Sequence, residues 1–387
     1  MRTAAIAIFI SIAILVYGAV NWYIFIRGWQ ALPRIGWLRT VYTILFVAAA
    51  GSFIAGRFLE RACCTKLTAA LVWAGSLWLA FMLYFFLSAV LLDLARLSNV
   101  LFHWWPRAVT GNYARTKLIT LLVVVLGTTA AVLAGYVNAA HPRVKKLDLA
   151  VDKPAGQMKT LRIAMASDIH LGTIIGNGRL TALVDRINAL QPDVILLCGD
   201  IVDEDIGSVI RDNLGETLRK LHAKYGVYGI TGNHEYIGGA KASVEYLRAH
   251  GVTMLMDSVA LIDSSFYLAG RIDRSGQRFE GRLRRSLPEL LQNVDRTKPV
   301  ILLDHQPFEL DKAEAAGVDL QLSGHTHHGQ LWPFNLITNA VYELSWGYKR
   351  KGNTHFYVSS GYGTWGPPVR TGNTPEIVDI TLRFIPR

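Results

Sequence analysis

Four long apolar runs precede residue 140: roughly Ala4–Ile26, Val41–Gly56, Leu67–Leu92 and Leu118–Ala139. A helix that crosses a bilayer needs about 20 predominantly apolar residues. The second run falls short of that length, and the third is long enough to tilt. The first is too long for the apolar stretch of a cleaved leader and lacks a small-x-small cleavage site, so it reads as an anchor. Trp29, Trp37, Trp104 and Trp105 lie just outside the runs, where amphipathic indoles suit the headgroup layer. Residues 1–140 are expected to form a four-helix transmembrane region of a multi-pass cell-membrane protein.

The charge follows the same division. Residues 1–150 hold 14 Lys and Arg against Glu60, Asp93 and Asp148, while residues 151–387 hold 26 of each sign. The whole formal charge of +11 thus belongs to the apolar part, as basic loops flanking membrane helices would give. Seven basic residues fall on either side of the four spans, so the positive-inside rule leaves the orientation open. Cys63, Cys64 and Cys198 make no disulfide framework. Cys63 and Cys64 sit at a membrane edge, where acylation is chemically conceivable. Cys198 lies in an apolar strand and reads as packing.

After His141-Pro142 the character changes. Residues 141–160 are polar, contain Pro154 and Gly156, and read as a linker. From Leu161 onward, short apolar strands alternate with amphipathic helices. Strands are expected at 161–167, 193–199, 227–231, 299–304, 318–322, 355–359 and 377–384. Leu180, Leu183, Val184, Ile187 and Leu190 fall at helical spacing. Residues 161–387 therefore form an α/β domain with room for a substantial core.

Several of these strands end in polar clusters. "SDIHLG" gives Asp168 and His170, "GDIVDED" gives Asp200, "GNHEY" gives Asn233 and His234, "DHQP" gives His305, and "SGHTHHG" gives His325 and His327. Open α/β sheets place their sites at the carboxyl ends of strands. Residues two apart leave an extended strand on one face, which predicts a common direction for Asp168 and His170, and for His325 and His327. The glycine before Asp200 lets the backbone turn sharply and aim the carboxylate. An oxygen and nitrogen donor set without thiolate suits Mn, Fe or Zn better than Ca.

The order Asp-x-His, Gly-Asp, Gly-Asn-His, His, Gly-His-x-His resembles that of the calcineurin-like metallophosphoesterase superfamily over roughly residues 160–385. The tail "YVSSGYGTWGPPVRTGNTPEI" (357–377) is similar to a branch whose members are often membrane-attached. Some relatives in that branch cleave the pyrophosphate of UDP-2,3-diacylglucosamine. The resemblance implies a four-layer αββα sandwich and two divalent metal ions. Asp168, His170 and His327 would hold one, Asn233, His305 and His325 the other, and Asp200 would bridge them. Such a pair makes water attack phosphorus, and His234 would protonate the leaving oxygen or steady the transition state. Asp203 and Glu204 read as support for the metal ligands or as solvated.

Substrate selection is expected outside the metal core. Trp365 and Arg370 lie near the site by the resemblance and are candidate substrate contacts. The run Arg271, Arg274, Arg278, Arg282, Arg284 and Arg285 could grip a second phosphate, or be a solvated face. A phosphodiester or pyrophosphate in a lipid-linked substrate would explain the membrane region, since confinement raises effective concentration. The competing readings are a nuclease, a membrane receptor or scaffold with an incidental metal site, and a transporter. Balanced charge in residues 151–387 argues against nucleic acid as a partner. The four apolar runs contain no paired charges of the kind that mark an ion pathway. The oligomeric state is not legible.

Overall fold

The computed structural model describes residues 2–62 and 65–385, so Cys63 and Cys64 lie outside the described residues. The chain divides into two compact units, Met1–Ala134 and Gly135–Arg387.

The first unit is helical. α1 spans Arg2–Ala31, α2 Gly36–Ala62, α3 Lys66–Phe102 and α5 Tyr113–Ala140, with one turn, α4 (Arg107–Thr110), before α5. α1, α2, α3 and α5 are long and apolar enough to cross a membrane. The second sequence run becomes a full span because the helix continues past its apolar centre at both ends. Small residues let α2 and α3 approach closely: a Cβ on Gly75 would meet the Phe53 backbone at 2.3 Å. Trp78 Nε1 donates to Asn21 Oδ1 at 2.9 Å, pairing two polar groups that hydrocarbon would leave unsolvated.

The second unit is a sandwich of two six-stranded sheets. Its strands are β1 (Arg143–Val151), β2 (Thr160–Ala166), β3 (Val194–Cys198), β4 (Val227–Ile230), β5 (Val252–Met254), β6 (Ser258–Ile262), β7 (Phe266–Gly270), β8 (Val300–Leu303), β9 (Leu320–Ser323), β10 (Gly347–Lys351), β11 (Thr354–Val358) and β12 (Glu376–Phe384). One sheet runs β1-β12-β2-β3-β4-β5, the other β10-β11-β9-β8-β7-β6. β2, β3, β4 and β5 pair in parallel, as do β7, β8, β9 and β11. β2 meets β12 antiparallel.

Alternation along each strand builds the layers. Leu161, Ile163 and Met165 of β2 point between the sheets, with Leu196, Leu303, Leu322 and Tyr357. Ala164 and Ala166 point outward against Leu180, Leu183, Val184 and Ile187 of α6 (Asn177–Ala189). On the far side, Val300, Leu302 and Phe356 pack on Leu287, Leu290 and Leu310 from short helices. The order helix, sheet, sheet, helix is the four-layer arrangement expected.

The first half of the linker expected over 141–160 is a strand, β1. Only His141 and Pro142 separate α5 from β1, which pairs in parallel with β12 along its whole length. β1 is an edge strand with most of its side chains exposed, which is why its polar composition reads as loop. The end of α5 also belongs to this unit. Asn138 Nδ2 donates to the carbonyls of Arg370 (2.8 Å) and Asn373 (2.7 Å), and Arg370 N donates to the Gly135 carbonyl at 3.0 Å.

Candidate metal centre

The ligand candidates lie just past the carboxyl ends of β2, β3, β4, β8 and β9. They do not leave extended strands on one face, as the two-residue spacing predicts. Asp168, His170 and Asp200 have φ near +50°, His325 has φ 72° and His327 φ 45°. Left-handed backbone in non-glycine residues is uncommon and collects at functional sites. Here it turns each chain end inward, so successive side chains converge. Gly199 combines φ 85° with close approach: a Cβ there would meet His305 Nδ1 at 2.5 Å. A Cβ on Gly324 would meet Asp168 Oδ2 at 2.2 Å.

Three groups of donor atoms result, each within 4.8 Å: Asp168, His170 and His327; Asp200, His305 and His325; and His170, Asp203 and His234. His170 Nε2 lies 3.0 Å from His327 Nε2, and Asp168 Oδ1 lies 3.4 Å from His327 Nε2. His325 Nδ1 is 2.7 Å from Asn233 Oδ1. Asp200 stands between: its Oδ2 is 3.0 Å from His305 Nε2 and 4.0 Å from His170 Nε2. All seven residues sought as ligands are thus brought together.

Burial sets the electrostatics. Asp168, His170, Asp200 and His305 are at most 1% exposed. Burial alone would raise Asp200, but the imidazoles of His305, His234 and His170 outweigh it and hold the carboxyl well below its usual range. Burial would lower His305, but Asp200 keeps it well above the usual imidazole value. His327 is pushed well below that value by burial, by His170 and by the charge of Arg370. The carbonyl of Cys198 can only accept, so His305 Nδ1 donates to it at 2.7 Å and leaves Nε2 facing the site. Asp168 Oδ2 is buried without a hydrogen-bond partner among the described residues, and His305 Nε2 faces the carboxylate of Asp200. Unpaired buried acceptors are costly. An orphaned carboxylate oxygen among clustered imidazoles and carboxylates is what a cation would satisfy, so the donor set fits a metal.

His234 sits beside both halves. Burial lowers its pKa, but Asp200, Asp203 and Glu204 more than compensate and lift it to about 9. Its Nδ1 donates to Asp203 Oδ1 at 3.1 Å, and its backbone N–H donates to Asp200 Oδ1 at 2.8 Å. Asp203 therefore orients His234, while Glu204 reaches only 3.9 Å from the same ring. Trp365 is 55% exposed, with its ring 6.1 Å from that of His234.

Arg370 differs from the expectation of a substrate contact. It is fully buried, and its guanidinium donates to the carbonyls of Ser360, Gly361 and Gly363 and to Asn373 Oδ1. Its Nη2 lies 3.2 Å from His327 Nδ1. Burial pushes it down to about 9. The residue stands behind the ligands, where substrate cannot reach it. The other arginines are partly spent too. Arg271 and Arg284 both pair with the buried Asp304, next to His305, and Arg274 pairs with Glu309.

The sequence reading missed Glu235. Fully buried, it accepts from the backbone N–H groups of Asp200, Val202 and Gly232, tying the loop after β3 to the loop after β4. Burial and Asp200 lift it to about 7 against those donors. Its signal was present in "GNHE", where a glutamate sits three residues past the glycine that opens a helix.

Comparison with known proteins agrees with this geometry. Residues 161–329 match the family model of the calcineurin-like phosphoesterases. An uncharacterized metallophosphoesterase of Aquifex aeolicus is 34% identical over 62% of this chain and 92% of its own length. One from Helicobacter pylori is 34% identical over 65% of this chain and 66% of its own. A zebrafish protein named "Transmembrane protein with metallophosphoesterase domain" is 31% identical over 71% of this chain. This chain spans 64% of that relative's length. With the Aquifex relative covered almost throughout, the chain belongs to the calcineurin-like metallophosphoesterase family, whose members use divalent metals.

Proposed function

We propose that this protein hydrolyses a phosphodiester or pyrophosphate bond with two divalent cations of the Mn, Fe or Zn class, in a lipid-linked substrate such as UDP-2,3-diacylglucosamine or a phospholipid. One observation carries the dinuclear reading. A single oxygen of Asp200 lies between His305 on one side and His170 on the other. Asp168, His170 and His327 would hold one ion, and Asn233, His305 and His325 the other, with Asp200 shared. When bound, such a pair supplies Lewis acidity toward water and toward phosphoryl oxygens.

The chain's own residues do the rest. The carbonyl of Cys198 fixes the His305 ring, and the Asn233 and His325 side chains orient each other. In the metal-free site the carboxylates around His234 raise its pKa to about 9, so that the ring holds a proton near neutral pH. Asp203 accepts a hydrogen bond from Nδ1–H, which leaves Nε2–H to donate to the leaving oxygen. Exposed Trp365, edge-on to His234, offers a flat face to the leaving group. The lipid-linked part of the reading is supported by the four apolar helices in the same chain.

The test is a turnover screen of Mn-loaded full-length protein against a nucleotide-diphospho-lipid, a phospholipid and bis(p-nitrophenyl) phosphate. Hydrolysis with preference for the lipid-bearing compounds is expected. Efficient cleavage of the soluble diester without that preference removes the lipid part alone. Inertness toward all three would sink the hydrolytic reading and favour a receptor or scaffold. A steep salt dependence of DNA binding would revive the nuclease.

A further inference from the structure

Between the metal-binding turn and β10 the chain makes an excursion that no part of the hydrolytic reading uses. Residues 334–341 form a helix, "FNLITNAV", with no buried residue. Leu336, Ile337 and Val341 are 61%, 58% and 57% exposed, and Trp332 just before them is 54% exposed. Folded soluble surfaces rarely gather large apolar side chains in one stretch, and such patches mark interaction sites. The excursion is fastened to the metal ligands. The ring of Tyr342 lies 6.1 Å from that of His325, and Thr326 Oγ1 donates to the Ser345 carbonyl at 2.5 Å.

We propose that residues 332–346 form an interfacial wedge whose apolar face dips into a bilayer surface and holds the mouth of the metal centre against it. Three observations choose a bilayer as the occupant. The same chain carries four helices able to cross a membrane, so a bilayer is always within reach. Trp332, 54% exposed, opens the segment, and indoles favour the headgroup layer. β10, the next strand in the chain, carries Lys349, Arg350 and Lys351; the two lysines share the carboxylate of Glu343, which leaves an excess of positive charge. Anionic headgroups attract such a basic edge, and apolar side chains beside it enter the acyl boundary. The phosphate-bearing layer of the membrane then lies level with His325 and His327. The wedge does not rest on the hydrolytic reading, because insertion can be read without turnover.

The test uses the full chain with Cys63→Ser and Cys64→Ser, reconstituted in vesicles of phosphatidylcholine and phosphatidylglycerol. A nitrobenzoxadiazole label is placed at Ile337→Cys, at Val341→Cys, and at exposed Lys220→Cys as the reference. Both labels on the helix are expected to shift to the blue and to lose intensity when brominated lipid replaces ordinary lipid, while the label at 220 does neither. Dilution of the protein into excess lipid should leave that result unchanged. Water-like emission from both helix labels, without quenching, overturns the wedge. A blue shift that disappears on dilution overturns it too, since the face would then be covered by a second copy of this chain.

Discussion

The two groups of side chains proposed to hold metal are alike in composition but are backed by opposite chemistry. Behind His305 stands a neutral carbonyl, that of Cys198, which accepts a hydrogen bond from Nδ1–H. Behind His327 stands a cation, Arg370, with Nη2 3.2 Å from Nδ1. A carbonyl acceptor fixes the tautomer and makes the ligand more basic. A buried guanidinium keeps its imidazole uncharged, yet also repels an incoming divalent ion. The half built on Asp168, His170 and His327 is therefore expected to bind its ion more weakly than the half built on Asn233, His305 and His325. Asp200 touches both and should tie them together.

The harshest test of that comparison removes the shared residue. Asp200→Ala is expected to release both ions and to lower turnover by about a thousandfold or more, the scale of losing a principal electrostatic element of a site. Elemental analysis per protein chain, alongside turnover, reads the result. One ion retained at full occupancy would mean that the halves stand independently.

Arg370→Lys separates the halves. It keeps the charge but loses the planar fork that holds Ser360, Gly361, Gly363 and Asn373 together. Asn373 in turn donates through Nδ2 to the carbonyls of His327 and His328. Positioning should outweigh any relief of charge repulsion, because the carbonyls left unpaired are buried. One step of a Mn titration should weaken by about 10–100-fold while the other stays in place. Equal movement of both steps would show that the two backings are not separate.

The same contrast explains how much of this molecule could be read in advance. The cluster of donor side chains at the ends of buried parallel strands was legible, because continuous apolar runs such as "DVILLCG" stop abruptly at charged residues. The reason for their convergence was not. Alternation along a strand was the available rule, whereas left-handed backbone at Asp168, His170, Asp200, His325 and His327 does the aiming. Glu235 was hidden because its partners are backbone N–H groups, which carry no residue-type signature. Arg370 looked like a substrate contact because an arginine near a phosphoesterase site has an obvious use, and only its burial shows otherwise. β1, β5, β6 and β10 escaped because they are the edges of their sheets, where half-solvated strands resemble loops; β7, internal and buried, escaped as well.

The smallest effect concerns His234, which leans on carboxylates rather than on either backing. Without metal its pKa rises from 6.5 to about 9: burial opposes the shift, and Asp200, Asp203 and Glu204 overcome it. The folded ring thus holds its proton more tightly than the unfolded one. Its stabilising contribution is complete below about pH 6.5 and fades as the pH climbs through about 9. Denaturant melts of the chelator-treated protein should show wild type losing more stability across that window than His234→Gln. The difference should be about 1 kcal/mol, below the full shift because the neighbouring carboxylates find other partners once the ring is gone. Divalent ions in the site repel the imidazolium, so loading metal should move the window to lower pH. If the two proteins keep a constant stability difference from about pH 6 to about pH 9, His234 is not held protonated by those carboxylates, and its Nε2 proton is not available to a leaving oxygen.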